Sequence, residues 1–257
     1  MAQFDINFYS DGNMEEFLDR NLELLGIGSE GVCYRYYDKV VKVLSGPDYC
    51  VAINDNTFTF PRLEIDERLL PTEDYITRYS NIDNSTFVFA KGIFRFNQKL
   101  RGLVMPYINM PKLNEYKLAS ARFDQLISAC NKCKRDITLI SSLGIEITDL
   151  ADVNIYYDGK TFKIADTMDY LDHDCDTGIQ RINMLKFSDV LISYFTVGSI
   201  KKSLRLNKDI TDLYNNRKNL DDPVLYFEEL QKHLSDVCGE QISSFSNAST
   251  LLKKMKI

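Results

Sequence analysis

Residues 22–44 read LELLGIGSEGVCYRYYDKVVKVL. Short runs rich in β-branched and aromatic residues are separated by a glycine cluster and by a turn at Asp38, the pattern of a strand-turn-strand-turn-strand meander. Only 12 glycines occur in 257 residues, yet Gly26, Gly28 and Gly31 fall within six. Each glycine costs backbone entropy on folding, so the cluster needs a reason. A backbone whose N–H groups must approach a polyphosphate supplies one, and a plain hairpin turn supplies another. The loop joins two predicted strands, which is not the strand-loop-helix setting of a dinucleotide-binding GxGxxG run. Lys42 then stands alone in the apolar run from Val40 to Leu44. An isolated cation in such a strand calls for a fixed anion, either a carboxylate or a phosphate.

Working outward from this stretch, residues 1–20 are polar and irregular, with a short helix expected over 15–22. Residues 45–60 read as loop, and Leu63 to Leu70 as a short helix closed by Pro71. Strands are expected over 87–96 and 100–108. The first 108 residues therefore predict a mostly antiparallel sheet with one inserted helix. The second half changes period. Leu118, Phe123, Leu126, Ile127, Cys130, Ile137 and Ile140 recur at helical spacing over 116–143, with Gly144 as a stop. A hairpin follows, turning at Asp158-Gly159, then helical patterns over 183–196 and from the Asp222-Pro223 pair onward. Lys253, Lys254 and Lys256 suit the end of a C-terminal helix. The fold class expected is α+β and bilobal, a sheet-rich lobe over 1–108 and a helix-rich lobe over 109–257.

Composition narrows the function. With 37 acidic and 31 basic residues the net charge is −6, and 44% of residues are hydrophobic. That balance provides for a substantial core and excludes a large basic field for nucleic acid. No apolar run approaches the roughly 20 residues that span a bilayer, and the opening residues lack a basic and apolar leader. A cytoplasmic protein with no nucleic-acid or membrane partner is expected. Its six cysteines are then free thiols. Cys130 and Cys133 have CxxC spacing, but they lie in a helical pattern without a second pair, which favours helix thiols over zinc. Two histidines, His173 and His233, leave little for a multi-histidine metal site or a Ser-His-Asp hydrolase.

The strongest chemical signal lies after the long helix. Asp149 is followed five residues later by Asn154, and twelve residues on, past the hairpin, by Asp166 in Lys163-Ile164-Ala165-Asp166. Two carboxylates and an amide converging there suit Mg²⁺ and phosphate. Taken with the glycine loop and Lys42, the chain from about Leu22 to Phe195 resembles the protein-kinase superfamily. The resemblance implies a nucleotide site in which Gly26, Gly28 and Gly31 form the Gly-rich loop. Lys42 would pair with the α/β-phosphates, held by Glu64 or, one turn on, Glu67. Met105 would be the gatekeeper, and Pro106, Tyr107 and Ile108 would present backbone to adenine. Asp149 would be the catalytic-loop aspartate, Asn154 and Asp166 would hold Mg²⁺ (or Mn²⁺), and Asp189 would brace the catalytic loop from a following helix. The implied reaction is γ-phosphoryl transfer from ATP, with Asp149 taking the proton of the attacking hydroxyl.

The chain also departs from the family pattern. Ile147-Thr148 stands where His-Arg precedes the catalytic aspartate, which removes the arginine partner of a phosphorylated activation loop. Ala151 replaces a lysine, Thr167-Met168 replaces Phe-Gly, and the segment from Asp166 to Asp189 is short and lacks Ala-Pro-Glu. Three readings follow. They are an atypical protein kinase acting on Ser or Thr, a small-molecule kinase of the aminoglycoside or choline kinase type, and a nucleotide-binding pseudokinase scaffold. Asp169, Asp172, Asp174 and Asp176 would suit a cationic acceptor, though a solvated acidic loop is the simpler account. The acceptor and the oligomeric state are not specified by the sequence.

Overall fold

The computed structural model describes residues 4–28, 31–44, 51–53, 58–60, 73–174, 177–197 and 208–254. The chain is a mixed α+β protein with a six-stranded sheet and several helices. It divides into two compact units, residues 1–83 with 88–108, and residues 84–87 with 109–257.

The meander is β2 (Glu23–Gly28), β3 (Gly31–Tyr36) and β4 (Lys39–Leu44). The rest of the main sheet comes from β1 (Ile6–Phe8), β7 (Gly92–Phe96) and β8 (Lys99–Pro106), in the order β1-β7-β8-β4-β3-β2. A separate hairpin pairs β5 (Val51–Ile53) with β6 (Phe58–Phe60). Helix α1 (Met14–Asn21) starts where the Asn13 side chain accepts from Glu15 N at 2.7 Å, satisfying one of the orphan donors of the first turn. It lays Leu18, with Leu22 just beyond it, on one sheet face, against Val32, Tyr34, Val41, Val43, Phe94, Phe96 and Val104. These are the alternate positions of the strands, as the two-residue period requires.

This unit departs from the sequence reading in several places: the β5–β6 hairpin lies in a stretch read as loop, and β7 starts at Gly92, five residues later than expected. β1 lies in a stretch read as irregular, and it pairs with β7 in parallel, so the sheet is not wholly antiparallel. Its apolar alternation, Ile6 and Phe8, is too short to register until the exposed edge of β7 supplies a partner. Helix α2 (Glu73–Ser80) was not expected either. It packs Tyr79 against Phe89, with ring centroids 5.2 Å apart, and Lys91 Nζ caps its end on the Ser80 carbonyl. The helix expected over 63–70 lies outside the described residues.

In the second unit, α3 spans Phe123–Ser142, seven residues later than its periodicity begins. Tertiary pairing causes the delay. Arg122 bridges Ser244, and Phe123 N donates to Ser243 O at 3.0 Å, which holds the chain extended just before the helix. Leu143 caps α3 and Gly144 leaves it at φ +77°, in the left-handed conformation that favours glycine. Two-stranded pairs follow. β9 (Ile145–Glu146) pairs with β12 (Leu171–Asp172), and β10 (Ile155–Tyr157) pairs with β11 (Phe162–Ile164) around Gly159 at φ +94°. Then come α4 (Ile179–Ile192), α5 (Lys208–Asn215), α6 (Pro223–Cys238) and α7 (Phe245–Lys254). Asp222 caps α6 as its sequence indicates, accepting from Val224 N at 2.9 Å. Phe123 and Phe195 stack on Phe245, and Phe227 meets Phe195 edge-on, an aromatic core that joins α3, α6 and α7 to the turn after α4. Among the described residues no helix is long and apolar enough to cross a membrane.

Candidate active site

In the first unit the strand register decides what can meet what. Gly26 opposes Cys33, Cys33 opposes Lys42, Lys42 opposes Leu103, and Leu103 opposes Ile93. Opposed residues share a face, so this row runs across the sheet on the side away from α1. Gly28 and Gly31 oppose one another two residues along, and Met105, paired with Val40, has the parity of Lys42 and Leu103. The register thus gathers Gly26, Gly28, Gly31, Lys42 and Met105 onto one face. With strands roughly 4.8 Å apart, the backbone at Gly26 lies about 10 Å from that at Lys42. Lys42 is 7% exposed. Pro106 opposes Lys39. Tyr107 N donates to Asp38 O at 2.9 Å, and the Arg35 guanidinium lies 4.2 Å over the Tyr107 ring. That stacking, together with the backbone bond, fixes the chain as it approaches Ile108.

The three glycines differ in what the fold requires of them. A Cβ on Gly31 would lie 2.1 Å from the Val43 carbonyl oxygen, so close strand packing demands glycine there. A Cβ on Gly26 would meet nothing within 4 Å, and one on Gly28 only Gly31 O at 3.8 Å. Strand β2 is an exposed edge, with Leu24, Leu25 and Ile27 all in contact with solvent. Packing within the described residues therefore gives no reason for glycine at 26 and 28. Glu64 and Glu67 lie outside the described residues.

In the second unit Asp149 sits, exposed, in the loop between β9 and β10, with Asn154 at the mouth of β10 and Asp166 two residues past β11. The β10–β11 register brings two of these together. Ala165 N donates to Asn154 O at 2.9 Å, so Asn154 and Asp166 stand at the same end of the hairpin. Asn154 N in turn donates to Ala151 O at 3.0 Å, turning the loop back toward Asp149. Thr148 Oγ1, beside Asp149, donates to Asp169 O at 2.7 Å, three residues beyond Asp166. Asp166 has φ +60°, a left-handed conformation that costs an L-residue about 1 kcal/mol or more and that Asp tolerates better than most.

The loop's entry is held from α4. Asp189, expected to brace the catalytic loop, lies near the end of that helix and approaches Arg217 Nε at 3.2 Å instead. Asn183 reaches the loop in its stead, its Oδ1 accepting from Ile147 N at 2.8 Å. Lys186 Nζ donates to Ile147 O and to Glu146 Oε1. The Lys186 ammonium, opposed by partial burial and aided by His173, lowers the Glu146 carboxyl below its ordinary range. A polar residue at helical spacing usually faces solvent, so Asn183 carried no signal in the sequence beyond an amide in an apolar run.

Cys130 and Cys133 are fully buried on α3, and burial pushes both thiols up. Among the described residues no group of three or more His, Cys, Asp or Glu side chains is gathered as a metal site. One carboxylate and one amide at the hairpin end are a smaller donor set, of a kind that Mg²⁺, which keeps several waters, can use. No family model and no curated protein matches this chain.

Proposed function

We propose that the protein is an ATP- and Mg²⁺-dependent phosphotransferase with a kinase-like bilobal fold, acting as an atypical protein kinase on Ser or Thr hydroxyls. The observation that carries the reading is the shared sheet face of Gly26, Gly28, Gly31, Lys42 and Met105, two of whose glycines have no packing reason among the described residues. Missing side chains at these positions let a polyphosphate come close to the backbone, and Lys42 would supply the cation for its α/β oxygens. Asn154 and Asp166, adjacent at the hairpin end, would hold Mg²⁺, which neutralises charge on the phosphates when bound. Asp149 accepts the proton as the acceptor oxygen bonds to the γ-phosphorus. The bond from that phosphorus to the β–γ bridging oxygen breaks, and ADP leaves. Catalysis comes from positioning and charge neutralisation rather than covalent chemistry with the protein.

A second reading, transfer to a small hydroxyl compound, is favoured by one feature. Helix α4 begins at Ile179, only thirteen residues after Asp166, which leaves little chain to form a peptide-docking platform.

Transfer from γ-labelled ATP with Mg²⁺ or Mn²⁺ tests both. The acceptors are the protein itself, a generic protein and a panel of small hydroxyl compounds, with Lys42→Ala and Asp166→Ala as controls. Label on protein, lost in both variants, is the expected result. Transfer confined to a small molecule selects the second reading. Nucleotide binding without transfer identifies a scaffold and overturns both.

A further inference from the structure

We infer that Asn183, assisted by Lys186, is a positioning residue that holds the backbone leading into Asp149, and that an aspartate could not replace it. What Asp149 then does rests on the phosphotransferase reading; what Asn183 holds rests on hydrogen-bond geometry alone.

Asn183 has no exposed surface, and its amide is used on both sides. Its Oδ1 accepts from Ile147 N at 2.8 Å, while its Nδ2 donates to Ile145 O at 2.9 Å and Ser141 Oγ at 2.9 Å. One side chain therefore ties together the last turn of α3, β9 and the residue two before Asp149. Lys186, one turn further along α4, lies on the same helix face. It donates to the Ile147 carbonyl and to Glu146 Oε1. Ile147 is thus gripped at its N–H by Asn183 and at its C=O by Lys186. Beyond it, Thr148 ties to Asp169 O, so Asp149 follows two consecutive residues whose backbone or side chain is anchored.

The choice of amide matters. A carboxylate is acceptor-only, so Asp at 183 would keep the bond from Ile147 N but turn an oxygen toward the Ile145 carbonyl with no hydrogen between them. It would also place a charge where no surface is exposed. A merely acceptor-based brace would tolerate Asp; this one would not.

The test uses the full chain with Asn183→Ala, Asn183→Asp, Lys186→Met and, as a control on the same helix, Gln180→Ala, whose exposed side chain bonds Thr138 and no other described residue. Two quantities are read. The first is amide hydrogen exchange of a peptide covering 145–149 against reporter peptides in α6 and β4. Loss of the Asn183 bonds should speed exchange at 145–149 about fivefold to tenfold beyond the reporters. The second is transfer from Mg-ATP, where both Asn183 variants should lower kcat on the order of 100-fold with the KM for ATP within about twofold. Lys186→Met should act in the same direction more weakly, and its one-third-exposed side chain makes it the decisive variant where those at 183 do not fold. Exchange rising equally everywhere, or Asn183→Asp behaving as wild type, overturns the inference. So does local loosening with kcat unchanged. A wild-type chain that transfers no phosphate overturns the phosphotransferase reading instead, and local loosening in that case still supports the brace.

Discussion

Gly31 and Gly26 belong to the same glycine cluster but answer to different constraints. At Gly31 the obstacle to a side chain is backbone, the Val43 carbonyl 2.1 Å from the Cβ position, and a carbonyl in a ladder cannot rotate away. Gly31→Ala should therefore cost about 3 kcal/mol of stability. At Gly26 no described residue comes within 4 Å of that position, and an alanine should leave stability within about 0.5 kcal/mol. If the open face receives phosphate, Gly26→Ala should instead weaken ATP binding several-fold. Urea unfolding and nucleotide titration of the two variants separate the roles; equal losses of stability would show that both glycines serve packing alone. The sequence displays the three glycines as equivalent, and only the register of β3 against β4 distinguishes them.

At the scale of elements, the second unit depends on a carboxylate that no motif announced. Asp136, half-buried and about two thirds of the way along α3, accepts from Ser85 N at 2.9 Å, Ser85 Oγ at 2.8 Å and Thr86 Oγ1 at 2.6 Å. Residues 84–87 are thereby fastened to α3, while Ile164 N donates to Thr86 O at 2.9 Å from β11. The hairpin that carries Asn154 and Asp166 is thus linked through this short segment to the longest helix. Asp136→Ala removes three accepted bonds and strands the buried Thr86 hydroxyl. It should cost about 2–3 kcal/mol, and Asp136→Asn roughly half of that. Thermal unfolding of the three proteins checks the order; equal midpoints would show that the segment is held by apolar contacts, such as Phe87 on Tyr170, instead.

At the scale of the whole molecule, acid should be the more damaging direction of pH. The Lys186 ammonium holds Glu146 below its ordinary value of 4.5. Burial works against ionisation of Asp158, but the backbone N–H groups of Lys160 and Thr161 and the Thr161 hydroxyl outweigh it and hold the carboxyl below 3.8. A carboxylate depressed on folding contributes stability that is complete above its unfolded value and is lost as pH falls through the folded one. The melting temperature should therefore be flat from neutrality to about pH 5 and fall below it. Glu146→Gln should start lower and fall less steeply over the same range. A parallel decline in both proteins would remove Glu146 from the account.

Much of this was legible without coordinates because it is local. The meander over 22–44, the Asp222-Pro223 start of α6, the Asp158-Gly159 turn and the Gly144 stop each follow from side-chain period or φ preference within a few residues. The order Gly-loop, Lys42, Asp149, Asn154, Asp166 is likewise a property of the chain. What needed the fold is non-local. Strand β1 exists because β7 offers an edge. Helix α3 starts late because Ser243 and Ser244 hold its approach extended. The loop before Asp149 is braced by Asn183 rather than Asp189, because helix phase and the path of β9 decide which polar group of α4 meets that backbone. Sequence determines which residues can donate, accept or turn; only tertiary packing determines which of them face each other, since a hydrogen bond depends on distances that no spacing along the chain encodes.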